Sequence, residues 1–220
     1  MRDGLTAVTT TFTAAALLCS SFASAETLTV TGWANGYKDV SITRPEVVRA
    51  EAGAFLVTDG ISSFQAWCVD LPESTFFGLA VDNYFSSRSL FETATVDKLG
   101  QLATGFLSMA TDATNSATFQ LAAWEVINDR SGTYEFDAGS FQANGGSAES
   151  GGALTTALDW LGSPPTTSNY SASFWVGPTN QDLVVVSPAP EPGTSSLLLA
   201  GLGLMGLIAR RRIAARKEPG

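Results

Sequence analysis

Apolar and polar positions along the chain follow two periods in its middle and neither at its ends. Thr27 to Trp33, Ala54 to Thr58 and Ile61 to Leu71 are short runs rich in β-branched and aromatic residues. Ser171 to Val176 and Asp182 to Val186 form a second such group. These predict strands. Asp59-Gly60 between two of the runs predicts a hairpin, because glycine supplies the positive φ of a tight turn. Gly177 to Asn180 predicts the turn of the later pair. From Val96 to Ala110 the period becomes helical. Val96, Leu99, Leu102, Ala103 and Phe106 share one face, with Asp97, Gln101, Thr104 and Ser108 opposite. A second helix is predicted over Ser116 to Arg130, capped by Asn115 or Ser116 and stopped by Gly132. A third is predicted over Ala153 to Leu161, ahead of Pro164-Pro165. Gln142 to Gly152, made of small and polar residues, reads as a mobile loop. Strands, then helices, then strands predict an α+β, mainly β domain: a β-sandwich-like sheet with a helical insertion.

The two ends carry apolar stretches of another kind. Residues 1–25 place Arg2 before an apolar segment ending at Leu18, then Ala23-Ser24-Ala25, the small-x-small pattern of signal-peptide cleavage. The expected signal helix is cut after Ala25, leaving Glu26 first; a buried N-terminal helix is the alternative. At the other end Pro190-Glu191-Pro192 precedes 16 residues, Thr194 to Ala209, that hold no charge. Arg210-Arg211-Arg212 follows. At about 1.5 Å per residue this run covers about 24 Å, against a hydrocarbon core of about 30 Å. It is expected to serve as a transmembrane sorting helix over residues 194–209, with local thinning of the bilayer and the arginines held at the cytoplasmic side. A plain C-terminal anchor is the simpler alternative.

Taken in order, Pro190, Glu191 and Pro192, the Gly- and Leu-rich segment and the arginine cluster resemble the PEP-CTERM signal of Gram-negative bacteria. That resemblance implies an exosortase-type processing enzyme as partner, passage through the inner membrane during sorting, and a final place at the cell surface or in an exopolysaccharide matrix, in a biofilm setting. It speaks for the C-terminal residues 188–220, and says how the chain is sorted rather than what its domain does.

Between the ends lies one expected extracytoplasmic domain, residues 26–187, long enough for a real core. Six Lys and Arg face 18 Asp and Glu there, a net charge of −12. Nucleic acid, which is bound by basic faces, is therefore an improbable partner. The chain contains no histidine. Ser-His-Asp triads, Cys-His dyads and His-ligated metal sites are excluded, and no metal or other cofactor is expected. Cys68 is the single cysteine of the segment and cannot form an internal disulfide.

Two residues carry candidate chemistry. Cys68 sits mid-strand in Ala66-Trp67-Cys68-Val69-Asp70-Leu71, on the face of Phe64 and Ala66. A free cysteine is often simply a small buried hydrophobe. Gln120 falls in the apolar arc of the second helix between Trp124 and Ile127, while Thr118, Glu125 and Asp129 form the polar stripe. A glutamine so placed is buried, and leaving its amide unpaired costs about 1–3 kcal/mol on mutational scales. Either a backbone carbonyl or a water satisfies it, or its chemistry is covalent. A thiol held against a carboxamide attacks it and expels ammonia, leaving an internal thioester, and positioning alone supplies roughly 7–11 kcal/mol of such a barrier.

Trp67-Cys68-Val69-Asp70-Leu71 followed by Phe119-Gln120-Leu121-Ala122-Ala123-Trp124 resembles the thioester (TQXA) domains of bacterial surface adhesins. In that family a strand cysteine is linked to the glutamine of a Gln-x-x-x-Trp helix; Phe119 stands here where threonine is common. The resemblance covers residues 60–140. It implies a Cys68–Gln120 thioester, with Trp67, Asp70 and Trp124 around it, that acylates an amine or hydroxyl nucleophile on a surface or matrix polymer. The rival is a non-covalent structural or carbohydrate-binding matrix protein with Cys68 a core thiol. A turnover enzyme ranks below both, since no histidine can serve Cys68 as base. Asp70 with Glu73 reads more simply as a solvated strand end than as an acid–base pair or Ca²⁺ site. The five tryptophans read as core rather than as a sugar platform.

Overall fold

A computed structural model describes residues 25–71, 73–87, 90–129, 132–145, 148–177, 180–189 and 192–215. Residues 1–24 of the expected signal peptide, Ala23 among them, and also Pro190 and Glu191, lie outside the described residues, as does part of the turn expected at Gly177 to Asn180. In chain order the described strands begin with β1 (Ala25–Trp33), β2 (Lys38–Arg44), β3 (Val48–Ala52), β4 (Phe55–Thr58), β5 (Ser63–Cys68) and β6 (Ala80–Ser87). Helix α1 (Thr93–Phe106) follows, then a 3-10 turn at Leu107–Met109 and α2 (Ala113–Asn128). The chain continues through β7 (Gln142–Gly145), α3 (Ala148–Gly162), β8 (Tyr170–Val176), β9 (Leu183–Pro188) and α4 (Pro192–Ala215).

The α+β, mainly β class holds. The sheet expected to be sandwich-like is realised as a closed antiparallel barrel in the order β1-β4-β5-β9-β8-β6, beside a three-stranded sheet β3-β2-β7. Closure follows from pairing the two ends of the domain. β9 lies between β5 and β8, so the last strand completes a ring begun by the first ones, and closure leaves those strands without free edges. The hairpin at Asp59-Gly60 is present. Gly60 has φ 85°, and the Asp59 carboxylate accepts from the backbone N–H groups of Ile61 and Ser62. Those two bonds hold the Asp59 carboxyl below its usual range.

β2, β3, β6 and β7 were not legible as strands. In β2 only Val40 and Ile42 carry the apolar alternation, and both are fully buried, since α2 and α3 pack against this small sheet. The segment Gln142 to Gly152, expected to be a mobile loop, instead contributes β7 and the first turns of α3. Its small residues serve close packing rather than mobility: a Cβ on Gly145 would run into the backbone of Gly151 at 2.5 Å.

α2 begins one residue past Asp112, earlier than expected. Asp112 accepts from the N–H groups of Thr114 and Asn115 at 2.9 Å each, the usual N-cap geometry. Ser116, one of the two expected caps, is inside the helix and buried, where its hydroxyl accepts from the Ala54 N–H at 2.8 Å. Every residue from Ser116 to Ile127 is buried. This helix is the centre of the molecule, wrapped by α1, α3, the small sheet and the end of β5.

α1 packs on β8, with Leu99, Leu102 and Ala103 among its buried residues. Gly100 makes that approach possible, since a Cβ there would come within 2.5 Å of the Tyr170 carbonyl oxygen. Gly100→Ala is expected to lower stability by about 1–2 kcal/mol, because overpacking outweighs the better helix propensity of alanine. A lower urea midpoint at unchanged m-value would register it.

The C-terminal run does form a helix, α4, whose described leucines from Leu197 to Leu207 are exposed. Among the described residues, however, no helix is long and apolar enough to cross a membrane. Thr194, Ser195, Ser196 and the glycines at 201, 203 and 206 dilute this short run.

Candidate functional site

β5 ends in Ala66, Trp67 and Cys68, all buried. Consecutive buried residues break the alternation of a half-exposed strand, because here both faces are covered. Trp67 packs on Phe119 of α2, with ring centroids 4.7 Å apart. The residue that stands where threonine is common in the resembling domains is thus a packing partner of the strand. Cys68 pairs with Leu183 in β9, and Val69 N–H donates to the Asp182 carbonyl at 2.9 Å.

Gln120 is fully buried, as its place in the apolar arc predicted. Its amide is satisfied at both ends by one residue. Oε1 accepts from the Cys68 backbone N–H at 2.9 Å, and Nε2 donates to the Cys68 carbonyl at 2.9 Å. The carboxamide therefore extends the strand ladder by one rung and lies against the residue that carries the thiol.

The Cys68 thiol donates to the Asp70 carbonyl. Burial pushes its pKa well above the usual thiol range. The Trp124 indole acts against this by favouring the thiolate, the Asp70 carboxylate adds to the rise, Gln181 also favours the thiolate, and Asp182 adds a further rise. Trp124 lies one helical turn beyond Gln120, and its indole nitrogen is buried without a hydrogen-bond partner. Cys68 and Trp124 together line a cavity of about 520 Å³. Trp33, Phe55 and Phe77 cluster on its wall, Trp33 stacking on Phe55 at 4.7 Å and meeting Phe77 edge-on at 5.6 Å. Asp39, Glu51, Asp70 and Glu73 line it against one cation, Arg49.

Gln181, which sequence reasoning did not single out, fastens the segment after β5. Its Nε2 donates to the carbonyls of Asp70 and Glu73 at 3.1 Å each, its Oε1 accepts from the Thr75 hydroxyl at 2.8 Å, and its backbone carbonyl accepts from the Tyr84 hydroxyl at 2.9 Å. Asp70 is more than a solvated strand end, for its carboxylate accepts from the Asp182 N–H at 2.8 Å. Asp182 itself is pushed up to about 6, chiefly by burial.

The polar stripe of α2 is also not solvated. Thr118, Glu125 and Asp129 are all buried. Glu125 Oε1 accepts from the Glu135 N–H at 3.1 Å, and Asp129 accepts from the Ser140 N–H at 3.0 Å. They hold the segment 132–141 against the helix. Glu125 Oε2 has no partner, and burial pushes this carboxyl up to about 7.

The structure thus brings Cys68, Gln120, Trp67, Asp70 and Trp124 into one cluster. It does not gather the tryptophans into a platform: Trp160 stacks on Phe106, while Trp175 lies by Phe64. The sorting residues stand apart. Ala25 opens β1, Pro192 opens α4, and Arg210, Arg211 and Arg212 lie near the end of α4.

Residues 188–212 match the PEP-CTERM protein-sorting motif. This motif is the substrate signal for exosortase processing and marks an exported protein, anchored at the membrane during sorting. No curated protein matches the chain. Among solved structures, the chain is similar to the N-terminal thioester domain of a surface protein from Clostridium perfringens, solved as a cysteine-to-alanine variant. Identity is 13%, coverage 62% of this chain and 89% of that one, and the TM-score 0.39.

Proposed function

We propose that this exported protein is a covalent attachment domain in which Cys68 and Gln120 form an internal thioester. One observation carries the reading: a fully buried carboxamide is fastened to both backbone groups of a cysteine whose side chain borders a cavity. The thiol attacks the Gln120 carboxamide carbon, the C–N bond breaks, and ammonia leaves with the thiol proton. The carbonyl oxygen keeps the Cys68 N–H as donor, which polarises the acyl carbon. A nucleophile entering the cavity then takes the acyl group, and Cys68 returns as a thiol. The acidic lining attracts a cationic amine rather than an anionic polymer, and the amine attacks in its neutral form after losing a proton to solvent. The expected setting is the cell surface or an exopolysaccharide matrix, the reaction happens once per chain, and the protein is not an enzyme.

A second reading has its own support. The two Gln120 hydrogen bonds also make a complete structural clasp in the thiol form, as a non-covalent matrix protein would have. The intact mass of the purified exported protein separates the two. A mass one ammonia below the sequence value, restored to an adduct by methylamine and absent in Cys68→Ala, is the expected result. A mass equal to the sequence value with one titratable thiol after denaturation would leave the structural clasp as the better account.

A further inference from the structure

The Cys68 sulfur must carry negative charge at some moment of any acyl transfer, and its surroundings oppose that. Buried at 3% exposure, it is faced by the carboxylates of Asp70 on the segment after β5 and of Asp182 ahead of β9, with Glu73 lining the same cavity. Tyr84 approaches from β6. Across the cavity stand Arg49 and Glu51 of β3 and Asp39 of β2, one cation against two anions. α2 presents no charge to the sulfur; it presents Gln120 and, on the same face, Trp124. The Gln181 amide is already committed to two carbonyls. The Trp124 indole N–H is committed to nothing, although it is buried and lines the same cavity as the thiol. A buried N–H without an acceptor costs about 1–3 kcal/mol, so its retention beside the sulfur calls for an acceptor that exists only part of the time.

We infer that the Trp124 indole N–H is the donor that stabilises the Cys68 thiolate, which makes Trp124 a catalytic residue for opening the acyl bond. This rests on the thioester reading for its use in transfer, but stabilisation of a Cys68 thiolate by the indole does not need the thioester to exist. In the step itself an amine adds to the Gln120 acyl carbon and the C–S bond breaks. The electron pair passes to sulfur, where the indole N–H meets it. The ammonium proton of the adduct then moves to sulfur, leaving an amide and a thiol.

The Cys68 thiol can be read whichever reading holds, because it is either free from the outset or released by methylamine. The pH profile of its alkylation by iodoacetamide is compared between the exported protein and its Trp124→Phe variant. The profile is expected to move about one unit higher, so that alkylation at a fixed pH slows about tenfold. Methylamine opening is expected to slow by a similar factor, while the fraction of ammonia-lacking protein stays the same. Trp160→Phe is the control, since that buried tryptophan stacks on Phe106 and does not line the cavity; it should leave the profile where it is. A profile for Trp124→Phe within twofold of wild type, or an equal shift in both variants, would overturn the assignment. If Trp124→Phe does not fold, benzothienylalanine at position 124 keeps the shape without the N–H and carries the same test. A wild-type mass that shows no ammonia loss would count against the thioester alone, because the alkylation profile still decides the role of Trp124.

Discussion

Gln120→Leu is expected to cost about 2–5 kcal/mol of stability and to abolish any methylamine adduct. The substitution removes the groups that accept from the Cys68 N–H and donate to its carbonyl, and it does so in a buried place. Each orphaned backbone group costs about 1–3 kcal/mol. Cys68→Ala is the informative companion, because it keeps both backbone bonds. In a chain that holds only a thiol, losing the sulfur should cost about 1 kcal/mol. In a chain that holds a thioester, the same change also deletes a cross-link between residues 52 apart. Treated like a disulfide loop of that length, the cross-link contributes roughly 4 kcal/mol as an upper value. Urea unfolding of the two variants therefore reads the covalent state of the site independently of mass. A mild Cys68→Ala beside a severe Gln120→Leu would argue for the clasp; two severe losses would argue for the bond.

The second large effect concerns pH. Glu125 is buried, its carboxyl is pushed up to about 7 by desolvation, and its Oε2 has no partner. The folded state thus holds a proton that the unfolded chain releases near the ordinary glutamate pKa of about 4.3. Stability from this group is complete below that value and is lost as pH rises through about 7. The loss is on the order of 3 kcal/mol. Asp182, pushed up to about 6, bends the curve the same way. Glu125→Gln should flatten most of the slope between pH 5 and 8, since an amide oxygen can still accept from the Glu135 N–H. Thermal unfolding at both pH values checks this, and an unchanged slope in the variant would place the pH dependence elsewhere.

Why was Gln120 legible from sequence and Glu125 not? Both are polar residues on one helix. Gln120 interrupts an apolar arc, so its burial follows from local periodicity alone. Glu125 and Asp129 lie on the stripe that the same periodicity assigns to solvent. They are buried because the segment 132–141 folds back and offers them the N–H groups of Glu135 and Ser140. That return depends on Phe136 and Phe141 reaching the core, a non-local event with no signature inside the helix. The strands show the same division. β1, β4, β5, β8 and β9 alternate strongly enough to be read, whereas β2 has only Val40 and Ile42 to show and β7 is spelled in loop-forming residues. Gln181 is the hardest case. Its role is to satisfy the carbonyls of Asp70 and Glu73, more than a hundred positions away, and nothing near it in sequence announces that.

Barrel closure also sets a timetable. The chain is exported from its N-terminus onward, and β9 is the strand that joins β5 to β8 and ends at residue 188, where the sorting motif starts. Until β9 has emerged, β5 lacks one neighbour and the ring stays open beside Cys68. The ring around Cys68 is thus completed by the last strand before the sorting motif, so on the thioester reading the pair could be fully enclosed only once nearly the whole domain has crossed.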